Sequence, residues 1–125
     1  FLLNKGNDAP ARFQSTISMM QEKGWLKIEA LTYIRGRSIN DSFIILDETQ
    51  SLKKEEIKTI LTRVGHNTKI VLTGYIEQID SKNLDALNNG LTYAVESFKD
   101  SGLSGHCTLQ KGERSKLATL AAEIL

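Results

Sequence analysis

The stretch "SFIILDETQ", Ser42 to Gln50, decides how the rest of the chain is read. Four consecutive apolar residues, Phe43 to Leu46, run directly into two carboxylates, Asp47 and Glu48, and then into Thr49 and Gln50. A short unbroken apolar run is the pattern of a strand buried on both faces, as at the centre of a parallel sheet covered by helices. Two readings of its end stay open at this point. It either delivers acidic groups to a phosphate site or closes a core strand in a polar turn.

Working outward, Ile57, Ile60, Leu61 and Val64 recur at helical spacing and predict a helix that ends near Gly65. "TKIVLTG", Thr68 to Gly74, predicts a second buried strand, with Gly74 allowing a sharp turn. Leu84, Leu87, Leu91, Val95 and Phe98 predict another amphipathic helix, "GHCTLQ" from Gly105 to Gln110 a third strand, and Leu117, Leu120, Ala121 and Ile124 a last helix. Upstream, Pro10 suits a first helical turn capped by Asp8 or Asn7, and Phe13, Ile17 and Met20 carry that helix from about Pro10 to Lys23, with Gly24 closing it. "WLKIEALTYI" alternates and predicts a short strand near Leu26 to Leu31, followed by the polar connection "RGRSIND" with Arg35 and Arg37.

Alternating strands and helices imply an α/β fold, a three-layer sandwich with a mainly parallel sheet. In such sheets ligands bind beyond the carboxyl ends of the strands. Both "DETQ" and "TGYIEQ" lie just past strand ends, which is the first indication of function.

Composition bounds the alternatives. The 125 residues fit a single domain, 1–125, and a net charge of +1 demands neither nucleic acid nor an anionic membrane as partner. Cys107, the only cysteine, excludes an internal disulfide and fits a reducing, cytoplasmic setting; its apolar surroundings read as those of a buried, inert thiol. No apolar stretch reaches membrane-spanning length. The chain opens "FLLNKGNDAP" without Met and reads as a piece of something longer or a processed product. His66 in "GHNT" and His106 read as a turn residue and a packed strand residue, with no Cys or carboxylate at ligand spacing.

A hydrophobic strand ending in Asp-Glu matches the Walker B pattern of nucleotide hydrolases. There the first acid holds Mg²⁺, a hard ion that prefers oxygen donors, and the second polarises the attacking water. Taken alone the pattern is weak, since any buried strand closing in a polar turn produces it. "VLTGYIEQ" adds weight: Thr73, Gly74 and Gln78 after a second strand end would place an amide near a terminal phosphate, although a capped polar turn is common too.

From Glu29 to Leu125 the chain resembles the second half of PhoH-like ATPase domains, most closely the branch in which that domain follows a PIN ribonuclease domain. The resemblance rests on "YIRGRS", "IILDE.Q", "TR.G..TKIVLTG", "QID", "NGLTY" and "KGERS" in that order. It implies a P-loop NTPase core related to superfamily-one helicases, ATP with Mg²⁺ as ligands and RNA metabolism as context; a homo-oligomer is expected separately, because a sheet cut from its first strands exposes an edge and an apolar face. It further implies that Asp47 coordinates magnesium and Glu48 is the catalytic base, that Gln78 contacts the γ-phosphate, and that Gln50 couples the acidic turn to that site. Thr73 and Gly74 belong to the nucleotide-binding turn. Arg63 and Arg114 are candidates for stabilising charge on the transferring phosphoryl group, with surface salt bridging as the alternative for each. Arg35 and Arg37 either contact phosphate or RNA or simply tie down their loop.

The departures matter as much as the matches. The phosphate-gripping loop GxxxxGK[ST] does not occur among these residues, and the family has it upstream of the matching blocks. Where the family usually reads T-G-D, this chain has Thr73-Gly74-Tyr75, and Thr49 replaces a usual Ala. The segment "NKGNDAPARFQSTISMM" lacks the Pro- and Trp-containing pattern of the family. An ATPase portion inactive alone and a degenerate, non-catalytic relative acting by oligomerisation or partner binding therefore both stand. A response-regulator receiver has the right length, but no acidic pair precedes the first strand.

Overall fold

The computed structural model describes residues 9–34, 36–79, 83–110, 112 and 115–124. In chain order they form α1 (Ala9–Glu22), β1 (Phe43–Leu46), α2 (Lys54–Leu61), β2 (Lys69–Leu72), α3 (Gly90–Phe98) and α4 (Lys116–Ile124), with single 3-10 turns at Leu31–Tyr33 and Thr49–Ser51. Two compact units are recognisable, one of Phe1–Phe43 with Thr59–Lys69 and the other of Ile44–Lys58 with Ile70–Leu125.

In the first unit, α1 stops where the sequence places Gly24. That residue takes a left-handed φ of 69°, which glycine adopts without a Cβ penalty. The Trp25 N–H then reaches the Met20 carbonyl at 2.8 Å and the Gly24 N–H reaches the Gln21 carbonyl at 2.9 Å, which satisfies these two carbonyls of the last turn. The Asp8 or Asn7 cap lies outside the described residues. The strand expected near Leu26–Leu31 is not formed: residues 26–30 have no regular structure, and Ile28 is 79% exposed. Alternation is a local signal, whereas a strand needs a neighbour for its ladder, and the Leu26 N–H is turned back onto the Met20 carbonyl instead. Further on, Ile39 and Val64 form a parallel bridge, with the Ile39 N–H on the Arg63 carbonyl and the Gly65 N–H on the Ile39 carbonyl, both at 2.8 Å. This pairing takes Val64 out of the helix in which its spacing had placed it, and α2 ends at Leu61.

The second unit carries the strand ends. β1 and β2 are neighbours in a two-stranded parallel sheet, their ladder closing with the Thr73 N–H on the Leu46 carbonyl at 2.9 Å. Burial alternates along both strands, so Ile44, Leu46, Ile70 and Leu72 turn to the packed side while Ile45 and Val71 stand exposed. Burial on both faces, expected from the unbroken apolar runs, is not observed. A run of four apolar residues fits a one-sided strand as well when only one face is covered. Leu46, Ile57 and Ala94 make the apolar core of this unit, and Thr49, Gln50 and Asn89 are buried polar residues.

α3 packs against the Thr49–Ser51 turn. It begins later than the leucine spacing predicts, because Asn89 caps it: the Asn89 Oδ1 accepts the Thr92 N–H at 2.9 Å, and Leu87 ahead of the cap is 86% exposed. The third expected strand is likewise absent. Residues 104–110 are irregular and exposed, so Cys107 is not a buried thiol and His106 is not a packed strand residue; the His106 ring contacts the Thr108 hydroxyl. α4 falls where the apolar spacing places it. No helix among the described residues is long and apolar enough to cross a membrane.

Candidate functional site

The carboxyl ends of β1 and β2 are joined by side chains from both. The Thr73 hydroxyl donates to Asp47 Oδ1 at 2.5 Å, and the Glu48 N–H donates to the same oxygen at 3.0 Å. These two bonds favour the charged carboxylate and hold the Asp47 pKa below its usual 3.8, the Thr73 bond being the larger cause and slight desolvation opposing both. Both bonds fall on Oδ1, and among the described residues Oδ2 takes none.

The next residues are fixed as tightly. Glu48 adopts a left-handed conformation, φ 56° and ψ 35°, which swings its side chain out of the strand line. Thr49 is fully buried, its hydroxyl on the Leu46 carbonyl and its N–H on the Thr73 carbonyl, both at 3.0 Å. Gln50 is 1% exposed and binds on three sides. Its Nε2 donates to Glu48 Oε2 at 2.6 Å and to the Gln78 carbonyl at 3.2 Å, while its Oε1 accepts the Tyr75 N–H at 3.2 Å.

Gly74 is needed for a reason other than turning. A Cβ there would stand 2.4 Å from Gln50 Oε1 and 3.0 Å from Leu91 Cδ2, so only glycine lets the two strand-end turns approach this closely. Gln78 takes part through its backbone: its N–H donates to the Tyr75 carbonyl at 3.0 Å, its carbonyl accepts from Gln50, and its side chain is exposed. The Tyr75 hydroxyl donates to the Glu77 carboxylate.

Asp47, Glu48, Gln50, Thr73, Gly74 and the Gln78 backbone are thus brought together within the second unit. Arg63 belongs to the first unit, where its carbonyl holds Ile39 and its Nε is buried without a partner among the described residues. Arg37 pairs with Glu29, which ties down its loop. Arg114 and Arg35 lie outside the described residues. Spacing alone missed Thr49, Asn89 and Gly90, which hold the acidic turn from behind: the Gly90 N–H meets the Leu52 carbonyl at 2.7 Å, and a Cβ on Gly90 would come within 2.9 Å of that oxygen.

The donor set suits a hard divalent cation. No cluster of three His, Cys, Asp or Glu side chains occurs among the described residues. Mg²⁺, however, is commonly held by one or two carboxylates plus water and phosphate oxygens, and an anionic Asp47 with one oxygen unengaged fits that role. Thr73→Val removes the main bond to Asp47. The Asp47 titration followed by carboxyl NMR is then expected to move up toward 3.8, the ordinary value. The sign follows from linkage: a depressed carboxylate stabilises the fold above its unfolded pKa, and that contribution is lost as pH falls through the folded value. An unchanged titration would assign the depression to the Glu48 N–H instead.

The α/β unit, with its two-stranded parallel sheet and helices, is consistent with a partial P-loop NTPase-like fold. Residues 11–124 match the family described as PhoH-like protein, and the chain belongs to that family. It is 62% identical over 102 residues to the protein called Protein PhoH2 of Bacillus subtilis (strain 168), covering 82% of this chain and 23% of that protein. It is 38% identical over 121 residues to Protein PhoH2 of Mycolicibacterium smegmatis, covering 97% of this chain and 26% of the relative. A PhoH-like protein of Bacillus subtilis is 37% identical over 86 residues, 69% of this chain and 26% of its own length. The chain therefore spans about a quarter of the length of the curated relatives it matches.

Proposed function

We propose that the joined strand ends are the magnesium- and water-handling half of an ATP-hydrolysing site in a cytoplasmic protein of RNA metabolism. The observation that carries this is the cluster itself: an anionic Asp47 fixed by Thr73, with Glu48 beside it and clasped by Gln50 to the Gln78 turn. In this reading Asp47 holds Mg²⁺, which when bound neutralises charge on the phosphates. Glu48 accepts the proton of the attacking water, and the exposed Gln78 amide contacts the γ-phosphate. Arg63 and Arg114 are the candidates for stabilising the transferring phosphoryl group. The phosphate cradle comes from a segment other than these 125 residues, which contain no GxxxxGK[ST]. RNA as a partner rests on the family alone, and further copies of the chain on the edge that a cut sheet exposes.

The test joins the chain to a strand–GxxxxGK[ST]–helix segment and follows Mg²⁺-dependent ATP hydrolysis. Turnover is expected in the joined form, with none in the 125-residue chain alone, and Asp47→Asn should abolish it. Hydrolysis by the chain alone that disappears with Asp47→Asn would overturn the requirement for a separate cradle.

One observation favours a second reading. Tyr75 stands where the family usually has Asp, and its hydroxyl is engaged by Glu77, so the charge expected beside the metal is missing. A non-catalytic relative that works by oligomerisation or partner binding would show no turnover in the joined form, even with Tyr75→Asp.

A further inference from the structure

Asn89–Gly90 is the only Asn-Gly pair in the 125 residues, and in an open chain such a pair is chemically labile. The Gly90 nitrogen, once it gives up its proton, attacks the Asn89 side-chain carbonyl carbon, and glycine has no side chain to hinder the approach. The N–Cγ bond forms, Nδ2 leaves as ammonia, and water opens the resulting five-membered imide to aspartate or isoaspartate. One water is consumed and one ammonia released, with no oxidant or reductant involved.

The packing around α3 explains why this pair is used despite its lability. Position 89 must offer an oxygen to the Thr92 N–H and N–H groups to the Asp85 and Ala86 carbonyls, all at 2.9–3.0 Å and away from solvent. Among short side chains only asparagine has both. Position 90 admits no Cβ, which would stand 2.9 Å from the Leu52 carbonyl oxygen and 3.1 Å from that of Thr49. The same packing disarms both reactants. The Gly90 N–H is held on the Leu52 carbonyl at 2.7 Å, and the Asn89 amide is fully buried and engaged at both ends.

We propose that Asn89–Gly90 is a modification site locked by the native fold, inert while α3 is docked and deamidated by water once α3 opens. The product cannot restore the dock. Aspartate brings a buried carboxylate oxygen to face the Asp85 and Ala86 carbonyls, and isoaspartate adds a backbone atom between the cap and the helix. α3 packs against the Thr49–Ser51 turn behind the acidic pair, so opening gives the chain a one-way exit from the state that holds Asp47 and Glu48 in place. The lock does not depend on those carboxylates being catalytic.

The test keeps the 125-residue chain at mildly alkaline pH, in buffer and in concentrated guanidinium chloride, and follows each asparagine by peptide mass spectrometry. Isoaspartate is counted by its enzymatic methylation. In denaturant, Asn89 is expected to convert ahead of every other asparagine of the chain. In buffer its conversion should be slower by about 10²-fold or more, because the rate follows the fraction of chains that are open. Thr92→Val takes the hydroxyl away from Asn89 Nδ2 and from the Ala86 carbonyl. It should speed conversion in buffer by about tenfold, the effect of losing one or two buried hydrogen bonds, and leave the rate in denaturant unchanged. Converted chains, separated by charge and returned to buffer, should unfold at lower denaturant than unconverted ones. Conversion as fast in buffer as in denaturant would overturn the lock, as would a native rate that ignores Thr92→Val. Asn89 no faster than the other asparagines in denaturant would remove the lability, and converted chains with the original unfolding midpoint would remove the one-way exit.

Discussion

Glu48→Gln in the joined form is expected to keep ATP binding and to lose about 10²- to 10⁴-fold in turnover, the usual contribution of a general base. The substitution keeps the shape of the side chain and leaves an oxygen to accept from Gln50 Nε2, which now stands 2.6 Å from the carboxylate. It removes the one thing the proposed mechanism needs from this position, an acceptor for the proton of water. Asp47 keeps its own bonds to Thr73 and to the residue 48 N–H, so the metal site should persist. Calorimetric ATP binding beside single-turnover hydrolysis separates the two properties. Equal loss of binding and turnover would show that Glu48 holds the nucleotide rather than serving as base.

The largest expected effect on stability comes from Asn89→Ala, about 2–4 kcal/mol, the sum of a lost N-cap and of acceptors left without a donor. Asn89 is fully buried, and its side chain meets four partner atoms. Its Oδ1 caps α3 through the Thr92 N–H, and the two N–H groups of its Nδ2 are shared among the Asp85 and Ala86 carbonyls and the Thr92 hydroxyl, all at 2.9–3.0 Å. α3 in turn supports the Thr49–Ser51 turn behind the acidic pair. Urea unfolding of the 125-residue chain measures the loss, and Asn89→Asp should not recover it, because a buried carboxylate oxygen would then face the Asp85 and Ala86 carbonyls. A change within about 0.5 kcal/mol, the range of an ordinary surface substitution, would mean that these bonds are replaced by water.

Much of this arrangement was legible in the sequence because it depends on local pattern. "FIIL" and "KIVL" are the two strands, the apolar spacing of α1, α2 and α4 locates those helices, and the polar clusters "DETQ" and "TGYIEQ" fall at neighbouring strand ends. What pattern could not supply is pairing and one-sidedness. "WLKIEALTYI" and "GHCTLQ" look like strands taken residue by residue, but neither has a ladder neighbour among the described residues, and so neither is one. Leu84 and Leu87 continue the period of α3 on paper, yet "NNG" carries a capping signal strong enough to start the helix at Gly90. Within the site, the positions of Asp47, Glu48, Thr73 and Gly74 followed from the strand ends. The burial of Thr49 and the three-sided contacts of Gln50 did not, since a threonine and a glutamine in a polar turn look no different from solvated ones.

Glu48 sits with its backbone in a left-handed conformation that an L-residue other than Asn, Asp or Gly adopts only at a cost, about 1 kcal/mol or more. With Glu48 as the proposed base, position 48 is thus contested between durability and chemistry. A selection for heat resistance alone, blind to turnover, would find glycine or asparagine here among its easiest gains, and the carboxylate would be among the first groups discarded. Consensus redesign of this domain for robustness would run the same risk, and Glu48 should be held fixed in any such effort.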